Sequence, residues 1–335
     1  DDARLLDGGD VEVTALTADS RTVAPGALFA ALAGTRADGL DFAAQAVAAG
    51  AGAVLGDARL EALDLSAARL VAADPRRAFA RMAARLHGPQ PRHVTAVTGT
   101  NGKTSTASFT AQLWRAAGHQ AASLGTLGLD APGFAAGESL TTPDPVALHQ
   151  MLQAVAAAGI EHVVMEASSH GLDQRRLDGV VLEAAAFLNL TRDHLDYHGS
   201  EEAYLAAKWR LFDPLLPTGA RAVLNADMAQ FAELAAAARA RGLELVDIGR
   251  RAKRFRIEGQ TPERTGQRLT LRLDGEAVEL FLPVVGAFQG QNLLAALALA
   301  EAVGVARGDL LAAVANLRGP RGRMELVARS EERRV

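Results

Sequence analysis

Residues 94–106 read VTAVTGTNGKTST. Val94 to Thr98, entered from His93, are β-branched or small and apolar, which suits a buried strand. Gly99-Thr100-Asn101-Gly102 is turn chemistry. From Thr104 the pattern becomes helical, with Phe109, Leu113 and Trp114 at helical spacing and Gly118 near the end. A strand, a glycine loop, a Lys-Thr pair and a helix form the arrangement in which backbone N–H groups and a helix N-terminus surround phosphates. Lys103 would bring a point charge to the terminal phosphates and Thr104 a hydroxyl for Mg²⁺. The strict phosphate-loop pattern has glycine where this chain has Val97. On the loop alone, a plain strand–turn–helix therefore stays open beside the nucleotide-binding reading.

Working outward, "GIEHVVMEASS" (159–169), "LEAAAFLNL" (182–190) and "GARAVLNAD" (219–227) repeat a strand-then-helix rhythm. That rhythm predicts an α/β fold with a mainly parallel sheet, and ligands at the carboxyl ends of its strands. "RLTLRLDGEAVELFLP" (268–283) alternates around Asp274-Gly275 and predicts a hairpin. "GQNLLAALALAEAVG" (290–304) predicts a helix. Upstream, "DPRRAFARMAARLHG" predicts a helix with Pro75 in its first turn and Gly88 after its end. "HGPQPR" (87–92) reads as a linker. The expected organisation is a small α/β domain over 1–90, a central domain over 91–325, and an exit linker over 326–335.

The chain has 335 residues, 49% of them apolar, a net charge of −4 and no cysteine. Its length accommodates two cores. The charge gives no nucleic-acid or membrane signature, and no run of about 18 apolar residues or signal peptide is present. Without cysteine, disulfides, thiolate zinc sites and thiol catalysis are excluded. These features fit a cytoplasmic enzyme, expected to be a monomer. Basic positions are almost all arginine: 32 Arg against Lys103, Lys208 and Lys253. A retained lysine can mark amine chemistry that a guanidinium does not offer. Lys253, in "RRAKRFR", reads as solvated. Lys208 reads either as a functional amine or as a stem lying across an apolar surface.

Polar residues gather at predicted strand ends. Glu166 follows an apolar strand and is either a Mg²⁺ ligand or a surface carboxylate. In "FLNLTRDHLDYHG" a strand is expected to end at Leu190, before Asp193, His194, Asp196 and His198. The His194–His198 spacing would suit zinc on a helix, but Gly199 and the lack of a sustained helical pattern argue against it. Ser200 predicts the N-cap of a helix carrying Lys208.

In their order, "VTGTNGKTST", "MEASSHGL", "TRDHLDYHG", "YLAAKW" and "GAFQGQNLLAALA" resemble the Mur ligases, and within them the members that add a diamino acid to a UDP-N-acetylmuramoyl dipeptide. The resemblance covers nearly the whole chain. "ADSRTVAPGALFAALAGTRADG" (18–39) resembles the family's UDP-binding segment. The resemblance implies a small UDP-binding domain and a P-loop ATPase-type central domain. It implies that ATP phosphorylates a substrate carboxylate and that an amine displaces the phosphate to form an amide. Gly99, Thr100, Asn101, Gly102, Lys103, Thr104 and Ser105 would hold the ATP phosphates, and Asn292 would contact adenine. Gln289 departs from the family's more usual Asn. Thr104 and Glu166 would hold one Mg²⁺. Lys208 matches the family's carbamylated lysine and, with His194, would hold a second. Ala18, Ser20, Thr35, Arg36 and Ala37 match UDP-muramoyl contacts. Thr141, Thr142, Ser168, Gln174 and Arg176 match contacts along the muramoyl dipeptide. The resemblance also implies a third, C-terminal domain for the diamino acid, beginning after "RGRMELV", so that residues 1–335 alone would not complete ligation. A folylpolyglutamate-type ligase, a non-catalytic nucleotide-binding partner and a small-molecule kinase are the competing expectations.

Overall fold

Short apolar strands dominate the first 90 residues. In the computed structural model, which describes all residues except 1, 8, 10, 35, 36, 136–139 and 323–335, they are β1 (Arg4–Asp7), β2 (Ala15–Thr17), β3 (Ala27–Ala30), β4 (Ala53–Gly56) and β5 (Ala68–Val71). They form a sheet in the order β1-β5-β4-β3-β2, parallel except for β1. β3 and β4 are buried on both faces, as their unbroken apolar runs require. One face packs with Ala78, Phe79 and Ala83 of α2 (Pro75–His87), the other with Ala43 and Ala46 of α1 (Ala43–Ala48). Asp74 caps α2 by accepting from the Arg77 N–H, with Pro75 in the first turn.

The chain divides into two compact units, the first comprising Asp1–Gln90, Pro143–Ala154 and Asp173–Val180. The second comprises Pro91–Thr142, Val155–Leu172 and Val181–Val335. The expected division at residue 90 differs from this at 143–154 and 173–180. Long-range contacts account for the difference. Arg175 pairs with Asp74 at 2.7 Å, and a Cβ at Gly179 would lie 2.7 Å from the Ala80 carbonyl and 2.8 Å from His149. The expected linker 326–335 lies outside the described residues.

The second unit opens with β6 (His93–Thr98) and α3 (Lys103–Ala116), then β7 (Ala121–Gly125), β8 (Gly128–Asp130), α4 (Pro145–Ala157), β9 (His162–Glu166), α5 (Ser169–Asp173) and β10 (Ala184–Phe187). The first part of α4 belongs to the first unit. After α6 (Leu195–His198) and α7 (Glu201–Trp209) come β11 (Arg221–Asn225), α8 (Phe231–Ala240), β12 (Glu244–Gly249), β13 (Phe255–Glu263), β14 (Gly266–Leu273), β15 (Glu276–Leu282), α9 (Gln289–Ala302) and α10 (Arg307–Ala313). Ten strands make one sheet, β15-β14-β13-β12-β11-β10-β6-β9-β7-β8. From β13 to β7 every pairing is parallel; the β13–β14–β15 meander and β8 are antiparallel. The expected hairpin turns at Asp274 and Gly275, with φ of +47° and +94°, the geometry of a two-residue primed turn.

α9 is buried from Gln289 to Ala300 except at Gln291, as a helix apolar on every side must be. Its leucines pack with Phe109, Leu113 and Trp114 of α3. Each buried leucine contributes roughly 1.5–3 kcal/mol of transfer free energy. This packing fixes the start of α3, and with it the loop after β6. The strand expected to reach Leu190 ends at Phe187. Beyond it the Asn189 side chain and the Thr191 backbone bond the β6–α3 loop instead of a neighbouring strand. Among the described residues no helix is long and apolar enough to cross a membrane.

Candidate functional site

The β6–α3 loop is held from beneath. Asn189 Oδ1 accepts from the Asn101 N–H at 2.8 Å, and its Nδ2 donates to the Asn101 carbonyl at 2.9 Å. The Thr100 N–H donates to the Asn189 carbonyl at 3.0 Å, and the Thr191 N–H to Thr100 Oγ1 at 3.0 Å. Gly102 has φ of +90°, and a Cβ there would lie 2.4 Å from Asn292 Oδ1. Glycine is required at this position by backbone conformation and by space. Asn292 is itself buried and donates to Gln289 Oε1 at 2.8 Å.

α3 begins at Lys103, so the N–H groups of its first turn have no intrahelical acceptor and face the loop. Lys103 Nζ folds back onto the carbonyls of Gly99 and Thr100, at 2.9 and 3.0 Å. Lys208, on α7, is 1% exposed and donates to the same Gly99 carbonyl at 3.0 Å. Its ammonium lies 4.4 Å from the centre of the Tyr204 ring, whose hydroxyl is 3.2 Å from Thr100 Oγ1. Burial pulls the Lys208 amine down to about 7, with the Lys103 charge acting in the same direction and Asp193 against it. Ser200 caps α7 by accepting from the Ala203 N–H at 3.1 Å and so fixes the helix that delivers Lys208.

Above the loop lies a cavity of about 750 Å³ at the carboxyl ends of the parallel strands. Of the residues singled out in sequence, Thr100 to Ser105, Thr141, Glu166, Ser168, His194 and Asn292 line it. Lys208, Gly99 and Thr142 are not on its lining. Glu166 is buried at the end of β9 and accepts from the Thr126 N–H at 2.9 Å and from its hydroxyl at 3.2 Å. The glycine before Thr126 leaves room for it: a Cβ at Gly125 would lie 2.1 Å from Glu166 Oε1. Thr142 Oγ1 donates to the Glu166 carbonyl at 3.0 Å and accepts from the Ser168 N–H at 3.0 Å. His194 sits in the left-handed region, φ +51°, with His170 edge-on to it at 4.9 Å.

Among the described residues no three His, Cys, Asp or Glu side chains converge as a metal cage. Thr104 and Glu166 both line the cavity and offer it a sparse set of oxygens. That set suits Mg²⁺, which keeps several waters and takes its remaining ligands from phosphates.

The first unit carries two cavities of its own. One, of about 580 Å³, is lined by Ala18, Gln174 and Arg176, together with Arg76 and Asp144. The other, of about 710 Å³, is lined by Ala18, Ser20 and Ala37. Thr35 and Arg36 lie outside the described residues. Sequence reasoning missed Asn189, Tyr204, Thr126 and Arg76. Asn189 had a signal, a polar residue beside a strand end in "FLNLT". The others read as ordinary helix or turn positions.

A strand–loop–helix phosphate cradle at the carboxyl edge of a parallel sheet, with a lysine folded over it, defines a nucleotide-binding α/β protein of the P-loop type. The Mur ligase middle domain matches residues 97–300, and the Mur ligase family, catalytic domain, matches residues 12–86. The chain belongs to the Mur ligase family. It is 50% identical over 318 residues to the UDP-N-acetylmuramoyl-L-alanyl-D-glutamate–2,6-diaminopimelate ligase of Mesorhizobium japonicum, covering 95% of this chain and 66% of that protein. The protein of the same name from Brucella melitensis is 46% identical, over 97% of this chain and 67% of its own length. A solved structure of a UDP-N-acetylmuramoyl-L-alanyl-D-glutamate–2,6-diaminopimelate ligase superposes with a TM-score of 0.81 at 31% identity, over 95% of this chain and 66% of that one. The chain thus spans about two thirds of the length of these relatives.

Proposed function

We propose that this chain carries the nucleotide-sugar and ATP sites of a ligase that adds a diamino acid to UDP-N-acetylmuramoyl-L-alanyl-D-glutamate. By the names of its relatives, the diamino acid is 2,6-diaminopimelate. The observation that carries this reading is the convergence of Lys103 and Lys208 on the Gly99 carbonyl, beside a cavity walled by Thr104 and Glu166.

The reaction has two steps. A carboxylate oxygen of the glutamate attacks the γ-phosphorus of ATP, giving an acyl phosphate and ADP. The amine then attacks the acyl carbon, phosphate leaves, and the amine loses a proton. The loop N–H groups and the first turn of α3 orient the phosphates. Lys103 leaves the loop carbonyls for the terminal phosphate, where charge develops as the phosphoryl group moves. Thr104 and Glu166 would hold a Mg²⁺ that offsets phosphate charge. Asn292, against Gly102, would border the adenine. An amine held near 7 has a substantial neutral fraction near neutral pH, the form that reacts with CO₂, whereas a guanidinium stays protonated. The resulting Lys208 carbamate would exchange a cation for oxygen ligands and, with His194, could hold a second Mg²⁺. Ala18, Ser20 and Ala37 would contact the UDP-muramoyl group; Thr141, Thr142, Ser168, Gln174 and Arg176 would contact the muramoyl dipeptide.

The test supplies ATP, Mg²⁺ and substrate carrying ¹⁸O in the glutamate side-chain carboxylate, with hydroxylamine as acceptor. Transfer of ¹⁸O to the released phosphate is expected. ADP formation with unlabelled phosphate would overturn the acyl-phosphate reading. A folylpolyglutamate-type ligase would bind folate and not the muramoyl nucleotide.

A further inference from the structure

We infer that Arg76 is an anion-binding residue of the first unit's cavity and contacts the diphosphate of a nucleotide-sugar. This rests on the reading of that cavity given above and adds a residue to it. Arg76 is half-buried in the first turn of α2 and lines the cavity of about 580 Å³ that also holds Arg176. The two carboxylates of that lining are already engaged. Asp19 pairs with Arg21 at 2.7 Å, and Asp144 Oδ1 accepts from the Val146 and Ala147 N–H groups at 3.0 and 3.1 Å. The neighbouring Asp74 is held by Arg175 at 2.7 Å and by the Arg77 N–H.

Arg76 itself donates to the Ala33 carbonyl, a neutral acceptor, and has no ion pair among the described residues. A guanidinium has five N–H donors, so one carbonyl leaves most of its hydrogen-bonding capacity unused. Arg176 lines the same cavity and donates to Gln174 Oε1 at 2.7 Å. Two guanidiniums share this concave lining, in which Asp19 is paired with Arg21 and Asp144 caps two backbone N–H groups. The planar fork of Arg76 matches phosphate oxygens, and the added positive charge of Arg176 on the same lining favours an anion over a neutral sugar. Leu32 and Phe79 give the same cavity an apolar side, which suits a ligand with a nucleoside attached to its diphosphate.

The chain is titrated calorimetrically with UDP and with uridine, as wild type, Arg76→Gln and Arg76→Lys, at low and moderate salt. Thermal melting checks that each variant is folded. Wild type is expected to bind UDP more tightly than uridine. Arg76→Gln should weaken UDP about tenfold or more, leave uridine within about twofold, and flatten the salt dependence. Arg76→Lys should keep the salt dependence with an intermediate affinity. Equal UDP affinity in wild type and Arg76→Gln overturns the assignment of Arg76 while leaving the cavity reading intact. Equal loss of UDP and uridine in folded Arg76→Gln reduces Arg76 to a clamp on Ala33 and also overturns it. A wild-type chain that does not prefer UDP to uridine overturns the cavity reading, and the assignment with it.

Discussion

Lys103 and Lys208 donate to one acceptor, the Gly99 carbonyl, at 2.9 and 3.0 Å. Burial is the main cost of keeping the Lys208 ammonium charged, and the Lys103 ammonium on the same oxygen adds to it. Lys103 is half-exposed on the cavity wall, whereas Lys208 is buried, and the buried group yields. Its folded pKa of about 7 lies below the ordinary 10.5. The unfolded chain therefore holds the proton more tightly, and stability rises with pH between about 7 and 10.5.

Lys208→Met removes that cost. Urea unfolding at pH 7 should show the variant more stable by about 1–3 kcal/mol, with a flatter rise towards pH 9. With ¹³C-bicarbonate, wild type should show one carbamate resonance that grows as the pH passes about 7, absent from the variant. A destabilised variant with an unchanged pH slope would contradict the account of the buried amine.

Asn189 closes two bonds on Asn101 from the far side of the loop. Asn189→Ala removes both bonds from Asn101, which is exposed, so water takes their place and the cost to folding is about 0.5–1.5 kcal/mol. The loss should fall mainly on ATP binding, because the loop must be in place to meet phosphates, while UDP binding stays unchanged. Calorimetry with each ligand checks this. Equal weakening of both would mean that the substitution disturbs more than the loop.

His149 and His162 are 3% and 4% exposed, and burial holds each at about 4, below the usual 6.5. Neighbouring positive charge adds to the effect, from His87 at the first and from His93, His119 and Arg92 at the second. Between pH 6.5 and 4 the unfolded chain takes up protons that these native rings refuse, so stability is complete above about 6.5 and lost as pH falls through that window. His162→Phe keeps a ring against Trp114, His93 and His119 and should recover about 1–3 kcal/mol of the acid loss at pH 4.5. The same urea-midpoint loss in variant and wild type would show that His162 does not carry it.

What the sequence made legible was contiguous. The β6 strand, its glycine loop and α3 share one stretch, so local pattern was enough to place them. The Asp274-Gly275 hairpin and the Ser200 cap were readable for the same reason. Lys208 stood out because lysine is scarce, but its burial and its bond to Gly99 join residues 109 positions apart. The end of β10 was read three residues late, since Leu188 to Leu190 look like strand and only the partnership of Asn189 with Asn101 shows why pairing stops. Residues 143–154 and 173–180 carry no boundary signal. Their place in the first unit depends on Asp74 and on space at Gly179, both remote in sequence. Arg76 read as one more basic helix residue because its surroundings come from three separate segments.

The central claim is most directly tested by calorimetric titration of residues 1–335 with UDP-N-acetylmuramoyl-L-alanyl-D-glutamate, using UDP-N-acetylglucosamine as the control. The account predicts saturable binding of the muramoyl dipeptide nucleotide, at least tenfold tighter than the control, an advantage of about 1.4 kcal/mol or more. Equal affinity for the two, or no binding of either, would contradict it.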